Sequence, residues 1–232
     1  VSELVCAPGA DAGILLTNLR VRGWMDYETL SKRRADLIMV SILGDRRGRP
    51  AVDYTVNPAA GFPDATGPEG LDAPVAHVLP AWDCICGQMA ALGALAAARR
   101  RLRGGGGGHV EITVKDVAVA IAGHLGLLAE ADAGIDRPKA GNALYGAYGQ
   151  DFLTADGRRI MIIGLTDRQW RAILSATGAE AEMAALAARL GTDLSEEGAR
   201  WRARREITAA LAPWFAARRA AEIGAALEAA GA

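Results

Sequence analysis

Ala35-Asp36-Leu37-Ile38-Met39-Val40-Ser41-Ile42 decides the fold class. After the paired arginines Arg33 and Arg34, the chain becomes continuously apolar, the pattern of a strand covered on both faces rather than one face exposed to water. Upstream, Ile14-Leu15-Leu16-Thr17 is a second short strand of the same kind. Downstream, residues 44–76 are rich in Gly, Pro and Asp, with Asn57-Pro58 and Gly67-Pro68 as punctuation, and read mostly as loop. A long helix then starts near Trp82-Asp83 and runs through Met89, Leu92, Leu95 and Ala98 to Arg99-Arg100-Arg101. An aspartate at its start and arginines at its end both suit the helix dipole. Glycines 104–108 end it, and His109-Val110-Glu111-Ile112-Thr113-Val114 alternates as a strand does. Asp116 opens a second apolar helix through Val119, Ile121, Leu125 and Leu128.

The pattern changes after Gly134. Asp136-Arg137-Pro138 leads into a loop rich in glycine and tyrosine, residues 141–149. Asp151–Thr154 and Arg159–Ile163, joined across Ala155-Asp156-Gly157, read as a β-hairpin, because Asp-Gly supplies the turn. Thr166 caps a helix carrying Trp170, Ile173 and Leu174, closed by Gly178. Helical patterns fill roughly 180–190, 195–212 and 216–230. The reading is therefore an α/β domain over residues 1–140 and a smaller α+β domain over residues 141–232. The chain opens on Val1 and stops within an alanine-rich helical pattern, Ala220 to Ala232, so it reads as part of a longer polypeptide.

Composition narrows the function. The 232 residues carry 26 basic and 27 acidic side chains, a net charge of −1, which argues against nucleic acid as a main partner. No run of about 18 uninterrupted apolar residues is present, so no membrane span is expected. Cys84 and Cys86 stand too close for an ordinary disulfide and the cysteine count of three is odd, which fits a reducing, cytoplasmic setting.

The chemistry concentrates at His77-Val78-Leu79-Pro80-Ala81-Trp82-Asp83. An extended apolar segment delivers Asp83 to a helix's first turn, where free N–H groups and the positive dipole end favour its ionised form. An ionised carboxylate is a nucleophile, and the same N–H groups would stabilise an oxyanion. The alternative is that Asp83 serves only as a helix cap. Glycines 104–108 lack the Gly-Lys-Ser/Thr ending of a phosphate loop and join helix to strand, so they read as a connector. His77, His109 and His124 lack metal-site spacing, and no metal site is expected. Cys84 and Cys86 read as helix packing, and Trp201 among Arg200, Arg202, Arg204 and Arg205 as one packed aromatic on an exposed helix face. The 141–149 loop is either a mobile cover over a reactive intermediate or an interdomain linker.

In this order the segments resemble the family III CoA-transferases of the CaiB/BaiF type. Asn18 to Leu30 is similar to the family's Asn-Phe-Arg-Pro-Gly stretch and the Asp-Tyr-Glu-x-Leu after it. Ala35 to Gly44 is similar to its Pro-x-Leu-Ile-x-x-Ser-Ile-x-Gly strand. Asp53 to Gly61 is similar to its Asp-x-x-x-Gln-Ala-x-x-Gly segment, with Asn57-Pro58 replacing Gln-Ala. Val78 to Asp83 matches the segment ending in the family's nucleophile, Gly108 to Ile112 its Gly-Gln-x-Val-Asp-Val strand, and Ala155-Asp156-Gly157 with Gln169-Trp170 its small-domain hairpin and helix.

That resemblance implies a doubly wound CoA-binding large domain, present here only in part, a small α+β domain, and an interlocked homodimer. It makes Asp83 the catalytic residue and assigns Arg22 and Asp53 to CoA binding. It places Tyr145, Gly146, Tyr148 and Gly149 in the cover loop, while His77, six residues before Asp83, either lines the same pocket and contacts the substrate or is a loop or core histidine. Segments 35–40, 53–58, 77–83 and 137–146 are most similar to a branch that transfers CoA within one molecule, from C1 of 2-methylfumaryl-CoA to C4, giving 3-methylfumaryl-CoA in the 3-hydroxypropionate cycle. Such chemistry implies an acyl-CoA substrate and no further cofactor. An intermolecular CoA-transferase and a non-catalytic truncated remnant remain the competing readings.

Overall fold

The computed structural model describes residues 1–9 and 12–231, so Ala232, the end of the final helical pattern, lies outside the described residues. The chain forms two compact units. The first comprises Val1–Gly67 and Leu71–Lys139, the second Pro68–Gly70 and Ala140–Ala232.

The first unit runs α1 (Ser2–Val5), β1 (Ile14–Thr17), a 3-10 turn (Gly23–Met25), α2 (Tyr27–Arg33), β2 (Ile38–Leu43), α3 (Asp53–Ala59), α4 (Phe62–Ala65), α5 (Ala81–Leu102), β3 (Gly108–Thr113), α6 (Val114–His124) and α7 (Leu127–Asp132). The strands form one parallel sheet in the order β1-β2-β3, with Ile38 in register with Ile14 and Gly108. β2 is central, and Ile38, Met39 and Val40 are buried on both its faces, which is why its sequence does not alternate. α5 packs Ala90 and Ala97 against Ile38, Val40, Val110 and Ile112. Tyr27 of α2 stacks on His109 at 5.3 Å. His109 and Val110 are adjacent on β3 and point to opposite faces, so α2 and α5 cover opposite sides and the sheet is doubly wound.

Several boundaries differ from the sequence reading. β2 starts at Ile38 rather than Ala35, because the Leu37 amide turns back to the Arg34 carbonyl. Residues 44–76 are mostly loop, as expected, and the loop also holds two short helices, α3 and α4. Asn57-Pro58 makes α3 a poor helix by propensity. Burial of Asp53, Val56 and Asn57 along one side overrides that. α6 starts two residues before Asp116, because the Thr113 hydroxyl accepts the Asp116 amide, and the helix expected to reach Leu128 breaks at Gly126 with φ +82°. Gly107 lies against the Leu37 backbone so closely that any side chain there would collide with it. α5, at 22 residues, is long and apolar enough to cross a membrane by length and composition alone. Here it is the helix that covers β2 and β3.

The second unit pairs β4 (Tyr148–Leu153) with β5 (Arg159–Gly164) in an antiparallel hairpin, followed by α8 (Asp167–Thr177), α9 (Glu180–Leu190), α10 (Glu197–Arg202), α11 (Arg204–Ala216) and α12 (Ala220–Ala230). Phe152 stacks on Phe215 at 4.1 Å inside a core that includes Tyr148, Trp170, Ile207, Leu211 and Ile223. Thr166 and Gln169 form a reciprocal capping box at the start of α8, and Gly178 closes it with φ +68°. The helical run expected over 195–212 divides at Ala203. Arg200 is not on an exposed face. It is fully buried and donates hydrogen bonds to the carbonyls of Leu165, Leu194 and Ser195. Pro68–Gly70 joins this unit because Glu69 pairs with Arg204 at 2.8 Å and Arg205 at 2.6 Å, a contact more than 130 residues long in sequence that the linear boundary near 140 did not include.

Candidate active site

The first turn of α5 is fixed from α3. Asp53 and Asn57 stand four residues apart, on one side of α3, and are 2% and 4% exposed. One carboxylate oxygen of Asp53 accepts the Trp82 amide at 2.8 Å and the Asp83 amide at 3.3 Å. The Asn57 side-chain carbonyl accepts the Trp82 indole N–H at 3.1 Å. Phe62 packs against the same indole at 4.5 Å, and His77 meets it edge-on at 5.9 Å. Trp82 is thereby buried in the core of the first unit, and the next residue, Asp83, is exposed.

This arrangement corrects two expectations. Asp83 does not cap α5: among the described residues its carboxyl accepts no hydrogen bond, and Asp53 takes the capping role from 30 residues away. The amides of the first turn are not free to form an oxyanion site either. The Ala81 amide donates to Leu79, those of Trp82 and Asp83 to Asp53, and that of Cys84 to Pro80.

Asp83 also titrates opposite to the expected direction. Partial burial of its carboxyl pushes it above the ordinary aspartate value of 3.8, and the negative charge of Asp53 pushes it further. Desolvation and a like charge together outweigh the dipole attraction, because Asp53 already occupies the positive end of the helix. A carboxylate without hydrogen-bond partners and beside a like charge is less stabilised as an anion, and so more basic and more nucleophilic. On the same helix Cys86 is buried and its thiol is raised by burial and then by Asp83, while Cys84 is exposed.

The remaining candidates occupy varied settings. Asp53, expected at CoA, is buried with its carboxylate on the first turn of α5. Among the described residues both ring nitrogens of His77 are buried without a hydrogen-bond partner, so neither is presented to a substrate. Arg22 is exposed beside the Gly23–Met25 turn and lines a cleft of about 340 Å³ with Tyr27, Ser41, His109 and Glu111, a lining that does not include Asp83. In that cleft Ser41 and His109 share a hydrogen bond of 2.8 Å across β2 and β3, a diagonal contact, since the register sets Ser41 opposite Glu111 and His109 opposite Met39.

Tyr145, Gly146, Tyr148 and Gly149 belong to the second unit. Only Tyr145 and Gly146 lie in an exposed turn, where Tyr145 packs on Trp201 at 4.9 Å. Tyr148 and Gly149 are not part of a cover loop. They open β4, with the Tyr148 ring fully buried, its hydroxyl 3.1 Å from that of Thr208, and its phenol pushed up by burial. A side chain at Gly149 would press on Leu144. What the sequence reading missed was that Asp53 and Asn57 together hold the first turn of α5. The Asp-x-x-x-Asn spacing, one helical turn, was the available signal.

Known proteins give this geometry a context. 2-Methylfumaryl-CoA isomerase of Chloroflexus aurantiacus is 53% identical over 224 residues, which cover 96% of this chain and 55% of that protein. The crystal structure of a CAIB/BAIF family protein from Brucella suis matches with a TM-score of 0.72 at 23% identity, covering 99% of this chain and 61% of the other. The Rv3272 protein of Mycobacterium tuberculosis in its orthorhombic form matches with a TM-score of 0.74 at 23% identity, covering 99% of this chain and 60% of the other. The chain thus spans about half the length of its curated relative. The model of CoA-transferase family III matches residues 8–232, and the chain belongs to that family.

Proposed function

We propose that this protein transfers CoA within one molecule, converting 2-methylfumaryl-CoA into 3-methylfumaryl-CoA, with Asp83 as the nucleophile. One observation carries the reading: Asp83 stands exposed in the first turn of α5 with a carboxyl that accepts no hydrogen bond among the described residues, because Asp53 has taken the amides that would otherwise hold it. The similarity to an isomerase of this name supplies the substrate.

In the first step a carboxylate oxygen of Asp83 attacks the C1 thioester carbonyl. The C–S bond breaks, CoA leaves as the thiolate, and a mixed anhydride remains. The thiolate attacks the aspartyl carbonyl of the anhydride, releasing the dicarboxylate and leaving an aspartyl-CoA thioester. The C4 carboxylate then attacks that thioester, a second anhydride forms, and the expelled thiolate takes the C4 carbonyl, restoring the Asp83 carboxylate. Each step exchanges one activated acyl group for another, so none calls for a metal or redox group. Both intermediates hydrolyse, so water has to be excluded. The resemblance assigns that covering role to the Tyr145-Gly146 turn. A second copy of the chain and a cytoplasmic location complete the proposal.

Hydroxylamine trapping tests it. Full-length protein turning over 2-methylfumaryl-CoA in hydroxylamine should become modified at Asp83, as read by peptide mass spectrometry, and Asp83→Ala should abolish both modification and turnover. No modification in the wild type would indicate a non-catalytic protein. Isotope-labelled free mesaconate should stay out of the product, and its incorporation would mean transfer between separate acids.

A further inference from the structure

We propose that Asp53 is a positioning residue for the reaction: it holds the backbone of Asp83 in place and opposes the negative charge on its side chain, an opposition relieved when Asp83 is acylated. The inference deepens the reading of Asp83 as the nucleophile and rests on it.

The geometry has two parts. Asp53 is 2% exposed and bonds the amides of Trp82 and Asp83, so the main chain bearing the nucleophile cannot shift without breaking two hydrogen bonds to a buried carboxylate. Asn57, one turn along, fixes the Trp82 ring from the same helix. Asp53 thus acts through Asp83 and its neighbour rather than on the substrate.

The second part is charge. Asp53 is the carboxylate that α3 presents to Asp83, while Tyr54 beside it is exposed. α6 turns the apolar Val114, Val117 and Ala118 toward α5. Its charged residues are paired elsewhere, Lys115 with Asp45 and Asp116 with Arg46. β2 and β3 contribute Ile42 and Ile112, and α5 itself the buried Cys86 thiol. His77, on the segment before α5, faces Trp82. No cation from these elements offsets the repulsion among the described residues. When Asp83 attacks, its charge leaves with the CoA thiolate as the C–S bond breaks, and the buried Asp53 then faces a neutral acyl group. The repulsion raises the energy of the free carboxylate relative to the acylated enzyme.

Asp53→Asn tests this in the full-length protein, since the amide oxygen still accepts both N–H groups but carries no charge. The Asp83 carboxyl is followed by 13C NMR titration in labelled protein, with Asp83→Asn used to assign the signal, and acylation is followed by hydroxylamine trapping. The titration midpoint of Asp83 should move to lower pH in Asp53→Asn, and trapping at neutral pH should slow about tenfold. A purely structural cap would lower the melting temperature and leave the midpoint in place. An unmoved or raised midpoint overturns the inference, as does a lowered midpoint with unchanged trapping in a wild type that acylates. Asp53→Ser is the second uncharged variant, and if neither variant folds the residue is holding the fold and the inference fails. A wild type that never acylates at Asp83 refutes the proposed function instead, and the titration then decides Asp53 by itself.

Discussion

At Asp83 one side chain has lost the partners that residues in its position ordinarily hold. Helix-start aspartates gain stability by accepting N–H groups, and here that gain belongs to Asp53. The consequence can be measured as stability against pH. An aspartate held above its ordinary value binds a proton more tightly in the folded than in the unfolded chain. Stability therefore falls as pH rises from 3.8 through the raised value, and above that the ionised Asp83 costs stability. Asp83→Asn should melt at a higher temperature than wild type near pH 7, and the difference should vanish below about pH 3.8. Melting curves across pH check this, and a difference independent of pH would contradict it. Asp83 itself was legible as a carboxylate at the start of a strongly marked helix. Its direction of titration was not, because the residue responsible lies 30 positions away.

At the scale of elements, α5 was readable almost to its ends, with apolar spacing, an aspartate in the first turn and arginines in the last. α3 and α4 were not, because they are short, contain proline and exist through what they bury. Within α5, Gly87 follows Asp83 by one turn and so lies on its face, exposed, with open space where a methyl would go. Alanine in a helix interior is about 1 kcal/mol more favourable than glycine, so Gly87→Ala should raise the melting temperature. The same methyl would stand beside the Asp83 carboxyl, so hydroxylamine trapping there should slow if Asp83 carries the acyl group. A variant both more stable and equally reactive would show that the acyl group approaches from elsewhere.

For the molecule as a whole, two units with separate cores bear the candidate residues: Arg22, Asp53, His77 and Asp83 in the first, Tyr145 and Gly146 in the second. Met89, Leu92 and Leu95 of α5 and Ile14 and Leu16 of β1 are exposed apolar residues. If the Tyr145 turn covers the site in the full-length protein, removing the ring admits a second acid. Tyr145→Gly should then increase incorporation of labelled mesaconate into product, with transfer between separate molecules rising severalfold, and mass spectrometry of the thioester reads the outcome. Unchanged incorporation would separate Tyr145 from the control of substrate entry. The ring meets Trp201 at a tilt of 59°, and the Arg204 guanidinium lies over the same indole, 3.9 Å from its centroid, so the turn is held by residues of α10 and α11.

The sequence by itself determined the strands, the long helix with Asp83 in its first turn, and the hairpin, because these rest on local periodicity and on residues within a few positions of one another. Tertiary structure alone decided who caps α5, that Arg200 and Tyr148 are buried, and which way Asp83 titrates. Each of those depends on groups brought together from distant parts of the chain, where burial and a like charge outweigh the preference of the local turn.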